Sequence, residues 1–280
     1  MRALTIAWIC ALALLRAAGA AAQTATPTAA DTQVANYAFA SELGSGVYAL
    51  DGRAITVYQL PLYYPLRQAA PRGGRPGIKL LFPVTFGFFN FQPIDVVHAE
   101  LPSSLGALSL EPGVELDYWL SDAWHVYPYV KAGFSWASSS AVNAAIYGAG
   151  VRSDYRFGAL GGRGLWSAVL AYGGVHYRSE LPDDSFTRLR NGLELRHGLP
   201  WEWRGRAFEA APYAFADVYF RAPEGPVSGI STPTLQFEAG FTIDVIPGWR
   251  IGSWRVPRLG IGYHAAGLLS GWRLVIGDPF

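Results

Sequence analysis

The feature that most constrains this chain is a recurring alternation of apolar and polar residues. From about residue 37 onward, segments of roughly ten to fourteen residues alternate in polarity and are separated by turns rich in Gly, Pro, Asp and Ser. Side chains of a β-strand point alternately to its two faces, so each segment predicts a strand with one apolar and one polar face. The pattern therefore indicates an all-β chain.

Two segments show the alternation most clearly. In residues 108–120 one face carries Leu108, Leu110, Val114, Leu116, Tyr118 and Leu120, and the other carries Ser109, Glu111, Gly113, Glu115, Asp117 and Trp119. In residues 235–245, Leu235, Phe237, Ala239, Phe241, Ile243 and Val245 oppose Gln236, Glu238, Gly240, Thr242 and Asp244. Each such strand has an apolar face and a face that bears charge.

The whole chain predicts twelve strands. Their spans are 37–49, 53–66, 77–90, 107–120, 124–136, 144–157, 164–177, 186–199, 207–220, 233–245, 255–265 and 270–280. Each is longer than the five to six residues usual in globular proteins and long enough to cross a bilayer as a tilted strand. An even number of strands puts both chain ends on one side, so we predict a transmembrane antiparallel up-and-down β-barrel of twelve strands.

Composition supports a membrane barrel over a soluble β-sandwich, which would also alternate. Only 15% of the residues are charged and 51% are apolar, whereas soluble domains carry about a quarter charged residues. Beyond the N-terminal ~20 residues, no uncharged apolar run reaches the length of about 18 residues that a transmembrane helix needs. The net charge of +1 gives no sign of a nucleic-acid partner.

The tryptophans favour an aromatic girdle at the two membrane surfaces, and hence outer-membrane lipid as a partner. Tryptophan collects at such surfaces because its ring is apolar and its N–H seeks water. Those near predicted strand ends are Trp119, Trp124, Trp136, Trp166, Trp201, Trp203, Trp249, Trp254 and Trp272.

Prolines within or beside the predicted strands weigh against the barrel, because proline cannot donate a ladder hydrogen bond. They are Pro61, Pro65, Pro83, Pro112, Pro128, Pro212 and Pro257. We expect some of them at rims or bulges.

The N-terminus has the pattern of a cleaved signal peptide over residues 1–22. Arg2 gives the basic start, residues 3–15 the apolar run, and three alanines precede Gln23 as a small-residue cleavage site. We expect a flexible lead-in over 23–36 and the barrel over 37–280. Cleavage would remove Cys10, the one cysteine, so the mature chain would contain no disulfide.

Several pieces of the sequence, in this order, carry a family resemblance: SELGSGVYALDGR, IKLLFPVTFGFFNF, GVELDYWLSDAW, GAGVRSDYRF, PRLGIGYH and LSGWRLVIGDPF. From about Phe39 to Phe280 the chain resembles the solitary outer-membrane autotransporter-type β-barrel domains. The resemblance implies a twelve-stranded barrel without a large passenger domain, located in the outer membrane of a Gram-negative-type envelope.

The end of the sequence also resembles the assembly signal of outer-membrane barrels. Phe280 is preceded by Ile276, Leu274 and Trp272 at alternate positions, although Asp278 breaks the alternation. The resemblance implies that the barrel-assembly machinery is a partner and recognises a last strand that ends at Phe280.

No motif for catalysis appears in the sequence. The five histidines are His98, His125, His176, His197 and His264, and no zinc-protease, serine-hydrolase or phosphate-binding glycine pattern surrounds them. Of these, we expect His125 and His264 on the inner face and His197 at the lipid-side rim. We predict a protein that is not an enzyme and has no cofactor or metal.

The charged residues on the polar faces are the more informative set, since they would line the barrel interior. They are Glu111, Glu115, Asp117, Lys131, Arg152, Asp154, Arg156, Arg188, Arg190, Glu194, Arg196, Glu238 and Asp244. Two interpretations stay open, a structural ion-pair network that fills the interior and a narrow polar conduit. Acidic residues fall on the fourth and tenth predicted strands, and basic ones on the sixth and eighth.

The leading hypothesis is an integral outer-membrane barrel that acts as a structural envelope protein or a narrow polar channel. A membrane-embedded hydrolase and a translocator for a separate exported polypeptide stay open as alternatives. The sequence leaves the oligomeric state undetermined.

Overall fold

The computed structural model describes residues 41–42, 44–50, 53–70, 74–89, 107–137, 143–178, 183–223, 234–248, 250–251, 254–255, 257–267 and 269–280. The predicted signal peptide, the lead-in and His98 lie outside these residues. Within the described part of the chain, no helix has the length and apolar character needed to cross a membrane.

The described residues form one antiparallel barrel of twelve strands, as the alternation predicted. The strands are β1 (Gly46–Leu50), β2 (Arg53–Arg67), β3 (Gly77–Phe89), β4 (Ala107–Leu110 and Gly113–Trp119), β5 (Trp124–Ala137), β6 (Ala144–Ala159), β7 (Gly162–Tyr177), β8 (Asp184–Trp203), β9 (Arg206–Arg221), β10 (Leu235–Ile246), β11 (Leu259–Ala266) and β12 (Leu269–Ile276). Each strand pairs with the next, and β12 pairs with β1 from Gly46↔Arg273 to Leu50↔Leu269, which closes the barrel. A short hairpin, Arg250–Ile251 and Trp254–Arg255, lies between β10 and β11.

The two faces of the wall differ as the alternation requires. On β4, Leu110 and Val114 are exposed, whereas Glu111 and Glu115 are buried. Large apolar side chains cover the outside, with Val130 59% and Phe237 52% exposed. The charged residues are therefore inside and the apolar residues outside, which is the reverse of a soluble β-sandwich.

Both ends of the barrel differ from the sequence prediction. Ser41 and Glu42 have helical backbone and the first strand begins at Gly46, so the prediction of strand at residues 41–42 and 44–45 is wrong. The last strand ends at Ile276, so the predicted strand to Phe280 is also wrong. In both places the chain leaves the wall because polar contacts inside the barrel hold it there.

Two of the prolines lie on an edge of β2 that has no partner strand among the described residues. β1 pairs with β2 only over residues 53–57. Beyond this, both the N–H and the C=O of Gln59 bond the Ser45 hydroxyl, so this side of β2 faces β1. Alternate residues of a strand direct their backbone groups to the same side, so Pro61 and Pro65 place their missing donors where no described strand needs them.

Three other prolines, Pro112, Pro128 and Pro212, lie at local interruptions of the ladder. Pro112 separates the two segments of β4, yet the register on β3 and β5 continues across it. Pairing of β4 with β5 is interrupted opposite Pro128, and pairing of β8 with β9 is interrupted at Pro212. Pro257 lies before β11. Long strands hold the register across each break.

The tryptophans only partly follow the predicted girdle. Trp124, Trp136, Trp201 and Trp203 are exposed and lie at strand ends. Trp119 lies on the inner face, 4.4 Å from the His125 ring between centroids. A further two, Trp166 and Trp272, are exposed but lie inside their strands, and Trp249 and the side chain of Trp254 lie outside the described residues.

Candidate functional site

The candidate site is the charged interior of the barrel, and its central residue is Glu42, which precedes β1. The Glu42 carboxylate accepts hydrogen bonds from Lys131 on β5 at 2.8 Å and from Arg188 on β8 at 2.7 Å. Strands β6 and β7 separate these two partners along the wall. Lys131 also pairs with Glu111 at 2.9 Å. Glu42 therefore bridges non-neighbouring parts of the wall through the interior.

Arg188 and its neighbour Arg190 share a second carboxylate, Asp217 on β9. Arg190 donates two hydrogen bonds to the two oxygens of Asp217, both at 2.8 Å, and Arg188 lies 3.8 Å from the same carboxylate. The Arg190 guanidinium also lies 3.8 Å from the centroid of the Phe215 ring. Asp217 is 1% exposed, so this is a buried ion pair with bidentate geometry.

Two further acidic residues each collect several partners. Glu194, fully buried, accepts hydrogen bonds from Arg196 and pairs with Arg258 at 2.8 Å. Glu238 accepts hydrogen bonds from Arg273 at 2.9 Å and from the Tyr213 hydroxyl at 2.7 Å, and His264 lies 3.4 Å away. Glu194, Glu238 and their partners lie on β8, β9, β10, β11 and β12, except for Arg258, which lies just before β11. These contacts tie the second half of the wall together.

A further group lies on β3, β4, β6 and β7. Lys79 pairs with Glu115, and Arg152 lies 4.0 Å from Glu115 and 3.5 Å from Asp154. The Ser167 hydroxyl donates to Asp154 at 2.7 Å. Every one of these carboxylates has a cationic neighbour, which buried charges require.

Among solved structures, the β domain of the Bordetella autotransporter BrkA is similar to this chain. The two are 13% identical, the match covers 82% of this chain and 92% of that chain, and the TM-score is 0.55. The chain has the fold of an autotransporter β-domain. No protein-family model matches the sequence, and no curated protein matches it.

The autotransporter β-domain fold agrees with the resemblance found in the sequence. At this level of identity the likeness extends to the fold and carries no residue roles. The functional reading of the interior therefore rests on the contacts of this chain's own side chains.

The structure distributes the sequence-predicted interior residues over the ion-pair groups. Glu111, Lys131, Arg188 and Arg190 join the groups around Glu42 and Asp217, and Glu115, Arg152, Glu194, Arg196 and Glu238 join the others. Asp117 and Arg156 meet at His125, and Arg156 is exposed. Asp244 is half-buried and accepts a hydrogen bond from the Val245 N–H.

Residues that hold the groups together and that sequence reasoning missed include Glu42, Asp217, Arg258, Arg273 and Asp278. The alternation does place Asp217 and Arg273 opposite exposed Val218 and Leu274, so a stricter reading of the pattern would have found both. The other three lie outside strands, where alternation gives no direction.

Three of the described histidines, His125, His176 and His264, contact carboxylate, amide or guanidinium groups. His125 contacts Asp117 through Nδ1 at 3.3 Å and Arg156 through Nε2 at 3.2 Å. His264 contacts Gln236 through Nε2 at 3.0 Å, and His176 pairs with Asp183 outside the core of the barrel. Neither buried imidazole is hydrogen-bonded to a serine hydroxyl, and the described residues contain no His, Cys, Asp or Glu group placed to hold a metal.

The acid response of Glu42 provides a test of its bridging role. Burial alone would raise the pKa of Glu42, but the charges of Lys131 and Arg188 outweigh burial and lower the pKa from 4.5 to about 2. A carboxyl whose pKa is lower in the folded chain contributes stability above pH 4.5 and loses it as the pH falls toward 2.

We therefore expect the free energy of unfolding to fall more steeply between pH 4.5 and pH 2 in the wild type than in Glu42→Gln. Urea unfolding of the refolded barrel at a series of pH values measures both slopes. Parallel slopes would show that Glu42 does not hold its charge between Lys131 and Arg188.

Proposed function

We propose that this chain is an integral outer-membrane barrel that acts as a closed structural protein of the envelope. The observation that carries the proposal is Glu42, which joins Lys131 and Arg188 through the interior. A barrel of about eight strands is filled by side chains, whereas sixteen to eighteen strands leave a channel. Twelve strands stand between these sizes, so what the interior contains decides between a plug and a pore.

The outer face supports a membrane location. Val130 and Leu170 are each at least half exposed and lie near the middle of their strands. In water such a belt of apolar side chains would associate, whereas lipid solvates it. The autotransporter origin of the similar BrkA β domain supports the same location.

Export and assembly belong to the same proposal. The mature chain begins near Gln23 after signal-peptide cleavage, and the barrel-assembly machinery inserts it. Because the number of strands is even, the N- and C-terminal ends of the barrel chain both lie on the periplasmic side. A separate exported polypeptide would have to displace Glu42 from Lys131 and Arg188, so the interior contacts favour a structural role over translocation.

Two measurements test this function. We expect the protein to fractionate with outer membranes, and the refolded wild type to leave the conductance of a planar lipid bilayer close to that of lipid alone. The buried ion pairs around Glu42 keep ions from crossing, which is the physical reason for the low conductance.

Stepwise currents from the wild type would overturn the closed barrel. In that case Arg188→Ser with Arg190→Ser removes two positive charges from the path and shifts ion preference toward cations. Recovery in the inner-membrane or soluble fraction would overturn the membrane location.

A further inference from the structure

The four residues that follow β12 turn from the wall into the barrel. Gly277 has φ of +90°, a backbone conformation that side chains with a Cβ rarely adopt, and it lies directly after Ile276 at the end of the strand. Its N–H donates to the Arg258 carbonyl at 2.9 Å. This turn sends Asp278, Pro279 and Phe280 inward instead of along the strand direction.

Phe280 occupies an aromatic slot on the inner face of β8 and β9. Its ring lies edge-on to Tyr213 and Phe215, with 6.3 Å between centroids in both pairs. Gly192 forms the floor of the slot, because a Cβ placed there would lie 2.2 Å from Cε1 of Phe280. Val275 belongs to the same buried cluster. The slot fits a phenyl ring only while position 192 lacks a side chain.

Polar groups hold the residues before Phe280. Arg258 donates through Nε to the Gly277 carbonyl at 2.9 Å and pairs with the Asp278 carboxylate. Arg273 donates to the Pro279 carbonyl at 2.8 Å. An acidic side chain, a backbone carbonyl and an aromatic ring are thus each met by a different group of the wall.

The two arginines are held in place by carboxylates that do not belong to the segment. Arg258 pairs with Glu194, and Arg273 pairs with Glu238, at 2.8 and 2.9 Å. Their donors are therefore oriented before any ligand arrives, and a pre-oriented site loses less entropy on binding. The residues around the C-terminal segment are therefore arranged as a binding site is, with side chains that are oriented independently of the segment.

We propose that residues 278–280 are a tethered ligand of an internal receptor site that recognises an acidic residue and, two positions later, an aromatic residue. The receptor consists of Arg258, Arg273, Gly192, Tyr213 and Phe215. When the tethered segment is absent, the same site binds a separate peptide of this chemistry. The inference rests on the barrel interior and is independent of membrane location and conductance.

The first experiment releases the ligand in the full chain. In a Cys10→Ser background, Pro279→Cys provides a single thiol beside Phe280. We expect Gly192→Leu to expel the ring and to raise the maleimide labelling rate of that thiol at least tenfold, on the order of what loss of burial gives. Gly198→Leu is the matched control, because it lies on the same strand and its Cβ would meet nothing within 4 Å.

Equal labelling rates in the Gly192→Leu and Gly198→Leu proteins would overturn the proposal. So would fast labelling of Pro279→Cys in the otherwise unchanged chain, since residues 278–280 would then not occupy the site. Both labelling measurements use detergent-refolded protein, so their outcome is independent of the bilayer conductance measurement.

The second experiment fills the vacated site from solution. A chain ending at Gly277 is titrated with a fluorescent, end-capped Gly-Asp-Pro-Phe peptide, and fluorescence polarisation reports binding. We expect saturable binding that the intact chain lacks and that Gly192→Leu removes. Peptides with Asn for Asp or Ala for Phe should bind at least tenfold more weakly, and equal binding by all three would contradict a specific receptor. The labelling experiment decides the matter if the shortened chain does not refold.

Discussion

Replacing Asp217 with alanine should lower the free energy of unfolding by about 3–5 kcal/mol, because it leaves buried cations without their carboxylate. Arg190 loses two hydrogen bonds of 2.8 Å, and Arg188 loses the second of its two acidic neighbours. Arg188 and Arg190 are both almost fully buried, so water cannot replace what Asp217 supplied. Equilibrium urea unfolding of the refolded barrel measures the loss.

The matched control for this prediction is Asp183→Ala. Asp183 also pairs with a basic side chain, the imidazole of His176, at 2.7 Å, but both side chains are more than half exposed. Exposed pairs contribute about 0.2–1 kcal/mol, so this variant should unfold close to the wild type. Similar losses from the two variants would mean that the interior is wet and that its ion pairs are screened.

Replacing Val130 with arginine should reduce barrel stability in lipid by about 2–4 kcal/mol, the cost of a charge near the bilayer midplane. Val130 is 59% exposed on the outer face and lies at the middle of β5. Refolding yield into lipid vesicles and the heat-induced gel shift measure the loss. In detergent micelles, where water reaches the side chain more easily, the difference should be smaller.

Leu120→Arg separates membrane depth from simple loss of an apolar side chain. Leu120 is 58% exposed, almost the same as Val130, but it lies in the turn between β4 and β5. Arginine near an interface costs about 0–1 kcal/mol. Equal effects of the two substitutions would remove the support that the outer face gives to a membrane location.

Alternation predicted the barrel wall well because a strand's facing is a local property. Val114 and Glu115 fall on opposite faces whatever lies around them, and nine of the predicted strands overlap the observed ones closely. The strand boundaries at Pro112 and at the start of β11 were harder to predict. Pro112 lacks an N–H donor and a short hairpin precedes β11, and both interrupt strand pairing without changing the alternation of the sequence.

The interior was predicted less well because its contacts join residues that are far apart in sequence. Glu42 lies 146 positions from Arg188, and the local sequence around neither residue predicts that the two form an ion pair. The apparent separation of acidic and basic residues onto different strands was also misleading. Arg258, Arg273 and Asp217 supply the opposite charge, so each ion-pair group contains both acidic and basic residues. Phe280 continued the apolar alternation of β12, and only the turn at Gly277 takes it inward.

The unpaired edge of β2 has a consequence for how neighbouring copies behave. A free strand edge normally recruits a strand from another chain through its backbone donors and acceptors. Of the donors that positions 61, 63 and 65 would direct outward, only that of Tyr63 exists, because the other two residues are prolines. A visiting strand would leave its own carbonyls unsatisfied, which costs several kcal/mol per group in lipid. In the proposed membrane location, we therefore expect neighbouring barrels to contact one another through side chains and lipid and not by pairing of their sheets.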